Sequence, residues 1–312
     1  MTTTRHGPRG EVALCICTRN RPGELRRALA SVAASSVQPA RIVVSDDSDD
    51  DVRAQTAEVC REFARVTHVT GPRRGLSANR NNCLTRVPAD VDLVLFVDDD
   101  VVVPREFVGA AMEAFLRAPE RTVVTGFEYR DGVRVLPHNP SFWGHQEKPP
   151  TGEGDLHAIC INATAFPRSL FDSIRFDELL RYGSDEIDIC VRAENAGFRV
   201  LFDPALFVYH ERSPVNRDEY VEFQDASRLY ATYKRYRWVE GRPVKATLYA
   251  LLAPAHVVAS AAVRRRRLRD VFVALRAVAK ARRYAQVYRR SRAADGKAGR
   301  RDRSEQDVVS AA

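Results

Sequence analysis

The chain has 312 residues, 45% hydrophobic and 29% charged, a balance that excludes a disordered or low-complexity protein and gives enough length for one elaborated domain or a domain with an attachment. Its net charge of +8 is concentrated: Arg264 to Arg292 carries twelve basic residues against Asp270 alone, a local +11, so the rest of the chain sums to −3. Six scattered cysteines without metal-ligand spacing favour buried thiols in reducing surroundings over a zinc site or disulfide scaffold, and the N-terminal MTTTRHGPRG lacks the apolar segment of a secretory signal.

After a flexible N-terminus at 1–11, Val12 to Cys17 reads as an apolar strand running into the polar loop Thr18-Arg19-Asn20-Arg21-Pro22. Gly23 to Ser36 follows as a helix with Leu25, Leu29, Val32 and Ala33 on one face. The pattern repeats with a strand at Ala40 to Val44, an acidic loop from Ser45 to Asp51 and a helix carrying Val52, Val59 and Phe63. A strand near Val66 to Val69, a helix from Ser77 to Arg86 and a strand at Val91 to Val97 complete a βαβαβαβ order, which predicts a largely parallel sheet with helices on both faces.

In such sheets active groups gather beyond the carboxyl ends of the strands, so Thr18–Arg21, Ser45–Asp47 and Asp98–Asp100 should share one rim. Strand alternation directs Asp98 and Asp100 to one side, a spacing suited to Mg2+ or Mn2+ bridging two phosphates, and leaves Asp99 to help the turn. The competing reading of Asp98–Asp100 is an acid cluster capping the helix after Pro104. No GxGxxG follows the first strand and no GxxxxGK[ST] loop is present, which weighs against dinucleotide oxidoreductases and Walker-type ATPases.

Four segments carry a named resemblance: Val12–Pro22, Ile42–Ser48, Gly75–Asn81 and Phe96–Asp100 resemble successive signatures of family 2 inverting glycosyltransferases with the GT-A nucleotide-diphospho-sugar transferase fold. The resemblance implies donor contacts from Thr18, Arg19, Asn20, Arg21, Asp46, Arg80 and Asp98, with Asp46 on the base. Ser45 and Asp47 depart from the family's Asp and Gly at the turn around it. Asp98 and Asp100 match the metal-binding Asp-x-Asp. Taken alone, Arg80 is equally readable as a helix-surface salt bridge.

Beyond Pro104 a helix runs through Leu116 and Thr122 to Phe127 returns as a strand, while the Pro- and Gly-rich Asp131–Asp155 forms an acceptor loop in which Trp143 either packs on a sugar or anchors the loop. Leu156 to Thr164 resembles the strand leading into the acceptor half. Tyr182-Gly183-Ser184-Asp185-Glu186-Ile187-Asp188 resembles the family's Gly-Glu-Asp-x-Asp helix start with its acids swapped, which assigns Glu186 as catalytic base and keeps Asp185 as its rival. Without the resemblance, Asp185 is a helix cap and Glu186 a partner of Arg192. Val208-Tyr209-His210-Glu211 resembles the strand-terminal Tyr-His segment, so His210 either completes metal ligation, contacts the diphosphate, or is an ordinary hydrogen-bonded histidine.

Residues 12–215 therefore form the expected catalytic domain, 216–291 a helical extension and 292–312 a disordered basic and polar tail. Asn216–Trp238 combines aromatic and basic residues, yet the acids of the rim favour an enzyme surface over nucleic-acid binding. Val244–Val263 is apolar but contains Lys245, His256 and central Pro254, and an amphipathic helix with Leu268, Val271, Phe272 and Leu275 follows the basic run Arg264–Arg267. The favoured placement is the anionic inner face of a cell membrane, near a polysaccharide, glycolipid or lipid-linked acceptor; a re-entrant hairpin and a solvated helix packed on the catalytic domain are the alternatives. The expected chemistry is metal-dependent transfer from a nucleotide sugar to a hydroxyl. A nucleotidyltransferase making an activated sugar and a non-catalytic carbohydrate-binding protein are the competing classes.

Overall fold

The computed structural model describes residues 10–152, 154–211, 220–265 and 268–310. Most of the expected flexible N-terminus, the start of the helix expected from Asn216, half of the Arg264–Arg267 run and the last two residues of the tail lie outside them. The chain divides into two compact units, Met1–Tyr220 and Val221–Ala312.

The first unit alternates as the sequence predicts: β1 (Val12–Thr18), α1 (Pro22–Ala33), β2 (Arg41–Asp46), α2 (Asp50–Arg61), β3 (Val66–Thr70), α3 (Leu76–Leu84) and β4 (Leu93–Asp98). These strands pair in parallel in the order β3-β2-β1-β4. β1 is central because no charged side chain interrupts it, and all seven of its residues are buried. Val12, Leu14 and Ile16 join one core cluster with Leu25 and Leu29 of α1, whereas Ala13, Cys15 and Cys17 join another with Cys83 and Leu84 of α3. That two-sided burial is what a parallel strand between helical layers requires. The crossovers diverge beside β1 and β4, leaving a crevice beyond their carboxyl ends.

Past β4 the sheet changes sense. The elements are β5 (Val101–Val102), α4 (Phe107–Arg117), β6 (Thr122–Arg130), β7 (Val133–Val135), β8 (Asn139–Pro140), β9 (Gln146–Lys148), β10 (Thr164–Pro167), α5 (Asp185–Asn195) and β11 (Arg199–His210). The order continues β4-β10-β6-β11-β5: β10 is antiparallel to β4 and β6, β11 parallel to β6, and β5 antiparallel to β11. Leu156–Thr164 departs from the strand expected there, because it stays irregular to Cys160 and turns through a 3-10 helix at Ile161–Ala163 before pairing begins at Thr164. Side chains take the N–H groups a ladder would use: Cys160 donates to Thr125 Oγ1 at 3.0 Å and Ile161 to Glu186 Oε1 at 3.3 Å. Between Phe202 and Phe207 the β11 register shifts, bringing the Leu206 carbonyl so close to β6 that a Cβ on Gly126 would lie 1.6 Å from it. Only glycine fits that bulge.

The second unit is helical. α6 (Val221–Lys234) runs into a π-helical stretch at Arg235–Val239, followed by α7 (Pro243–Arg265), which contains Pro254, and α8 (Leu268–Ser310). α8 stays helical past Arg292, where the sequence loses its period. Tyr230, Tyr236 and Tyr249 are buried in this unit, as are the small Ala253, Ala274 and Ala277, and Tyr236 packs edge-on against Tyr249.

Candidate active site

Strand register assembles the rim. Thr18 lies opposite Asp46 and Cys17 opposite Asp98, so the loops after β1, β2 and β4 open together as the sequence predicts.

The three acids after β4 have different partners. Arg21 Nη1 donates to Asp99 Oδ1 at 3.0 Å and reaches Asp100 Oδ2 at 3.4 Å, while Thr18 Oγ1 donates to Asp99 Oδ2 at 2.7 Å. Burial pushes the Asp99 carboxyl up to about 7, with Arg21 opposing the rise and Asp100 adding to it. Asp99 thus does more than shape a turn: it ties the first loop to the third. Asp98 donates its N–H to Asn162 Oδ1 at 2.8 Å and accepts from Asn162 Nδ2 at 3.2 Å and Arg80 Nη2 at 3.1 Å.

His210 reaches this cluster through the sheet, since β11 sets it opposite Val101 of β5. Its Nε2 is 3.1 Å from Asp100 Oδ1, and its Nδ1 meets Glu128 Oε2. Burial works against the imidazolium, but hydrogen bonds to Asp100 and Glu128 prevail and raise His210 to about 10. Asp98, Asp100 and His210 each offer a ligand atom, and these atoms lie within 4.8 Å of one another. Asp98 and Asp100 offer carboxylate oxygens, and His210 an imidazole nitrogen once a bound cation displaces its proton, a donor set that fits Mn2+ and, through the carboxylates, Mg2+.

The stretch after Gly75 distributes its polar side chains among three neighbours. Gly75 has φ +106°, and a Cβ there would lie 2.8 Å from the Arg181 carbonyl oxygen that accepts from Leu76 N–H. Asn79 Nδ2 donates to the Ser45 carbonyl at 3.0 Å, fixing the end of β2. Asn81 Nδ2 donates to the Phe176 carbonyl and Asn81 Oδ1 accepts from Phe176 N–H, both at 2.9 Å. Between them Arg80, 3% exposed, enters the rim and bridges Asp98 and Asp185. Those two carboxylates raise its pKa against the opposing effect of burial, so Arg80 is no surface salt bridge.

Asp185 and Glu186 open α5 after Gly183 and Ser184, both in left-handed backbone, and do not share an environment. Asp185 is buried against Arg80; burial raises its pKa and Arg80 opposes that rise. Glu186 is half-buried, accepts from Ile161 N–H at 3.3 Å, and lies 3.5 Å from Gln146 Nε2. Burial, reinforced by the negative charges of Asp185 and Glu128, pushes it up to about 7. Arg192 bonds Asp188 at 2.8 Å, one turn away, rather than Glu186.

The remaining expected donor residues hold the crevice wall together. Asp46 is fully buried, accepting from Ser48 N–H at 2.8 Å and meeting His68 Nε2 at 3.2 Å; burial raises its pKa, but these bonds outweigh it and leave the net shift downward. Asn20, at φ 58°, donates its N–H to Ser48 Oγ at 2.8 Å and exchanges bonds with Asp49. Arg19 Nη1 donates to Tyr220 Oη at 3.2 Å, and Tyr220 stacks on Tyr182 with ring centroids 4.2 Å apart. Half-buried Trp143 packs edge-on against Phe142.

Sequence reasoning missed Glu128 and Asn162. Glu128 had a signal, a lone acid directly after the uncharged Val123–Phe127 run, whereas Asn162 had none, because its bond to Asp98 depends on the turn at Ile161–Ala163.

Comparison with known proteins agrees with this geometry. The profile of "Glycosyl transferase family 2" matches residues 13–175. Succinoglycan biosynthesis protein ExoW of Rhizobium meliloti (strain 1021) is 32% identical over 188 residues, covering 53% of this chain and 57% of ExoW. Among solved structures, S. aureus TarS 1-349 in complex with UDP-GlcNAc aligns at TM-score 0.58 and 14% identity, covering 90% of this chain and 92% of that one. GalNAc-T7 with UDP, GalNAc and Mn2+ aligns at TM-score 0.57 and 16% identity, covering 73% of this chain and 47% of that one. This chain therefore spans about half the length of ExoW and of GalNAc-T7, and the two structures share its GT-A type α/β fold. Because the family profile matches just over half of its 312 residues, including the rim around Asp98–Asp100, the chain belongs to glycosyl transferase family 2.

Proposed function

We propose that this protein is a metal-dependent inverting glycosyltransferase, moving a sugar from a nucleotide-diphosphate donor to an acceptor hydroxyl. The carrying observation is a juxtaposition: the ligand atoms of Asp98, Asp100 and His210 converge, and the Ile161–Asn162 pair joins them to Glu186, with Asn162 bonding Asp98 and Ile161 N–H bonding Glu186. Asp98, Asp100 and His210 would hold Mg2+ or Mn2+, which when bound neutralises charge on a departing diphosphate.

Arg80 extends positive charge toward the same diphosphate, and Arg19, Arg21 and Thr18 line the donor side of the crevice. Asp46 orders the base-binding loop. Glu186 takes the acceptor proton: its pKa of about 7 matches a general base working near neutrality, whereas Asp185 is committed to Arg80 and positions it. A polysaccharide, glycolipid or lipid-linked acceptor is favoured by the succinoglycan biosynthesis named for ExoW. Attachment at the anionic cytoplasmic face of the membrane is supported by α7, whose Pro243–Val263 stretch has mean hydropathy 1.6, and by the basic run from Arg264.

Mass-resolved turnover of a panel of nucleotide sugars with cell-envelope extract tests this reading. Product that requires Mg2+ or Mn2+ and disappears in Glu186→Gln is the expected result. Formation of free nucleotide sugar from sugar phosphate and nucleoside triphosphate, with no transfer, overturns it.

A further inference from the structure

The helical unit forms an open-sided cavity of about 290 Å³ between α6, α7 and α8. Tyr230, Tyr233, Trp238 and Tyr249 supply its aromatic wall, Ala253, Pro254 and Ala281 its smooth one, and the exposed Arg282 and Arg289 also line it. No carboxylate is among the lining residues, so a cation or a sugar finds few polar partners there. The volume lies near the lower end of the roughly 300–1,000 Å³ usual for ligand pockets, and walls of this composition hold apolar groups in preference to water.

The surface of the same helices points to what enters. On α7, Val244, Leu248, Leu251 and Leu252 follow helical spacing and are 74%, 50%, 69% and 50% exposed; on α8, Leu268, Phe272 and Leu275 are 81%, 64% and 49% exposed. Only 22% of the apolar α7 window is buried within the unit. Exposed apolar stripes on a strongly basic segment are the signature of helices lying in an anionic bilayer interface.

We propose that the cavity takes the hydrocarbon chain of an anionic membrane lipid, whose phosphate pairs with Arg282 and Arg289, while the apolar stripes of α7 and α8 rest in the bilayer surface. An oligonucleotide would also use arginines and aromatic faces, but it would leave the exposed leucines and Phe272 in water. The inference extends the membrane-surface reading and is independent of the sugar-transfer chemistry.

Trp143→Phe in the full chain leaves Trp238, inside the cavity, as the single tryptophan. This protein is mixed with equimolar phosphatidylglycerol and phosphatidylcholine vesicles whose acyl chains carry bromine, and both flotation and Trp238 fluorescence are read. The expected result is flotation with strong quenching, and loss of most of that quenching, with flotation retained, when Ala281→Phe fills the cavity. If circular dichroism shows that Ala281→Phe does not fold, the surface pair Arg282→Glu with Arg289→Glu takes its place and should likewise lose quenching. Absence of flotation, quenching by a short oligonucleotide without quenching by vesicles, or quenching unchanged by the substitutions overturns the proposal. Flotation with Trp238 unquenched overturns the lipid cavity while leaving surface attachment standing.

Discussion

The two units invert the usual disposition of polar and apolar side chains in different ways. In the sheet unit Arg80, Asp99, Asp100 and Asp185 are buried and ion-paired, Arg80 with Asp185 and the other two with Arg21, whereas in the helical unit Leu248, Leu251, Leu252 and Phe272 stand exposed. Burying charge is costly unless it is paired, so the first unit is organised around an internal polar site. Leaving large apolar groups in water forgoes burial energy, so the second unit is organised around something outside the chain. Changes in the two units should therefore separate: rim substitutions should alter turnover and pH dependence, helix substitutions membrane affinity.

Glu186→Gln carries the largest expected effect, a fall in kcat of about 10²–10⁴-fold with nucleotide affinity retained, measured by steady-state turnover and nucleotide titration. If retained activity accompanies intact folding, Glu186 is not the base. In the unsubstituted enzyme kcat/KM should climb about tenfold per pH unit and level off above about 7, the pKa of Glu186, because only its ionised form accepts the proton.

Core and rim stability come next. Phe96 is 2% exposed and meets Phe166, Phe171 and Phe176 edge-on, so Phe96→Ala should cost about 3–5 kcal/mol in urea unfolding. Adjacent residues at the start of α5 should then differ in what their substitution disturbs. Asp185→Asn removes a partner of buried Arg80, whose charge its two carboxylates stabilise, and should lower donor affinity, read by nucleotide titration. Glu186 has its carboxyl pKa raised by folding, so the stability it confers in acid is lost as pH rises from the ordinary glutamate value through about 7. Glu186→Gln removes that loss and should stabilise the protein at pH 8 by about 1–3 kcal/mol while changing little at pH 4. Loss of turnover with nucleotide affinity retained in both substitutions would erase the distinction between a positioning acid and a reactive one.

The smallest shift belongs to the exposed helices. Leu251→Ser with Leu252→Ser should weaken binding to anionic vesicles by about tenfold in co-sedimentation, since partial burial at a bilayer surface realises only a fraction of the about 1.5–3 kcal/mol of a fully buried leucine, and should leave turnover on a soluble acceptor unchanged. Equal loss of both would tie the helical unit to the chemistry.

What the sequence determined alone was whatever rests on local pattern. Alternating strand and helix signals from Val12 to Asp98 defined the parallel half-sheet and its rim, because each βαβ crossover is short and its handedness leaves few topologies. The shared side of Asp98 and Asp100 was legible for the same reason, since both leave the end of one strand, whereas Arg80 was placed toward the donor only by the family resemblance. Tertiary structure decided the rest. Strand β10 enters antiparallel between β4 and β6, and β11 closes on β5, pairings between distant segments that no local period encodes. Only that closure sets His210 beside Asp100 and Glu128, and only the turn at Ile161–Ala163 hands Asn162 to Asp98 and an N–H to Glu186. That Glu186 is pushed up to about 7 follows from burial and from the negative charges of Asp185 and Glu128 beside it, properties of the packed site rather than of the chain.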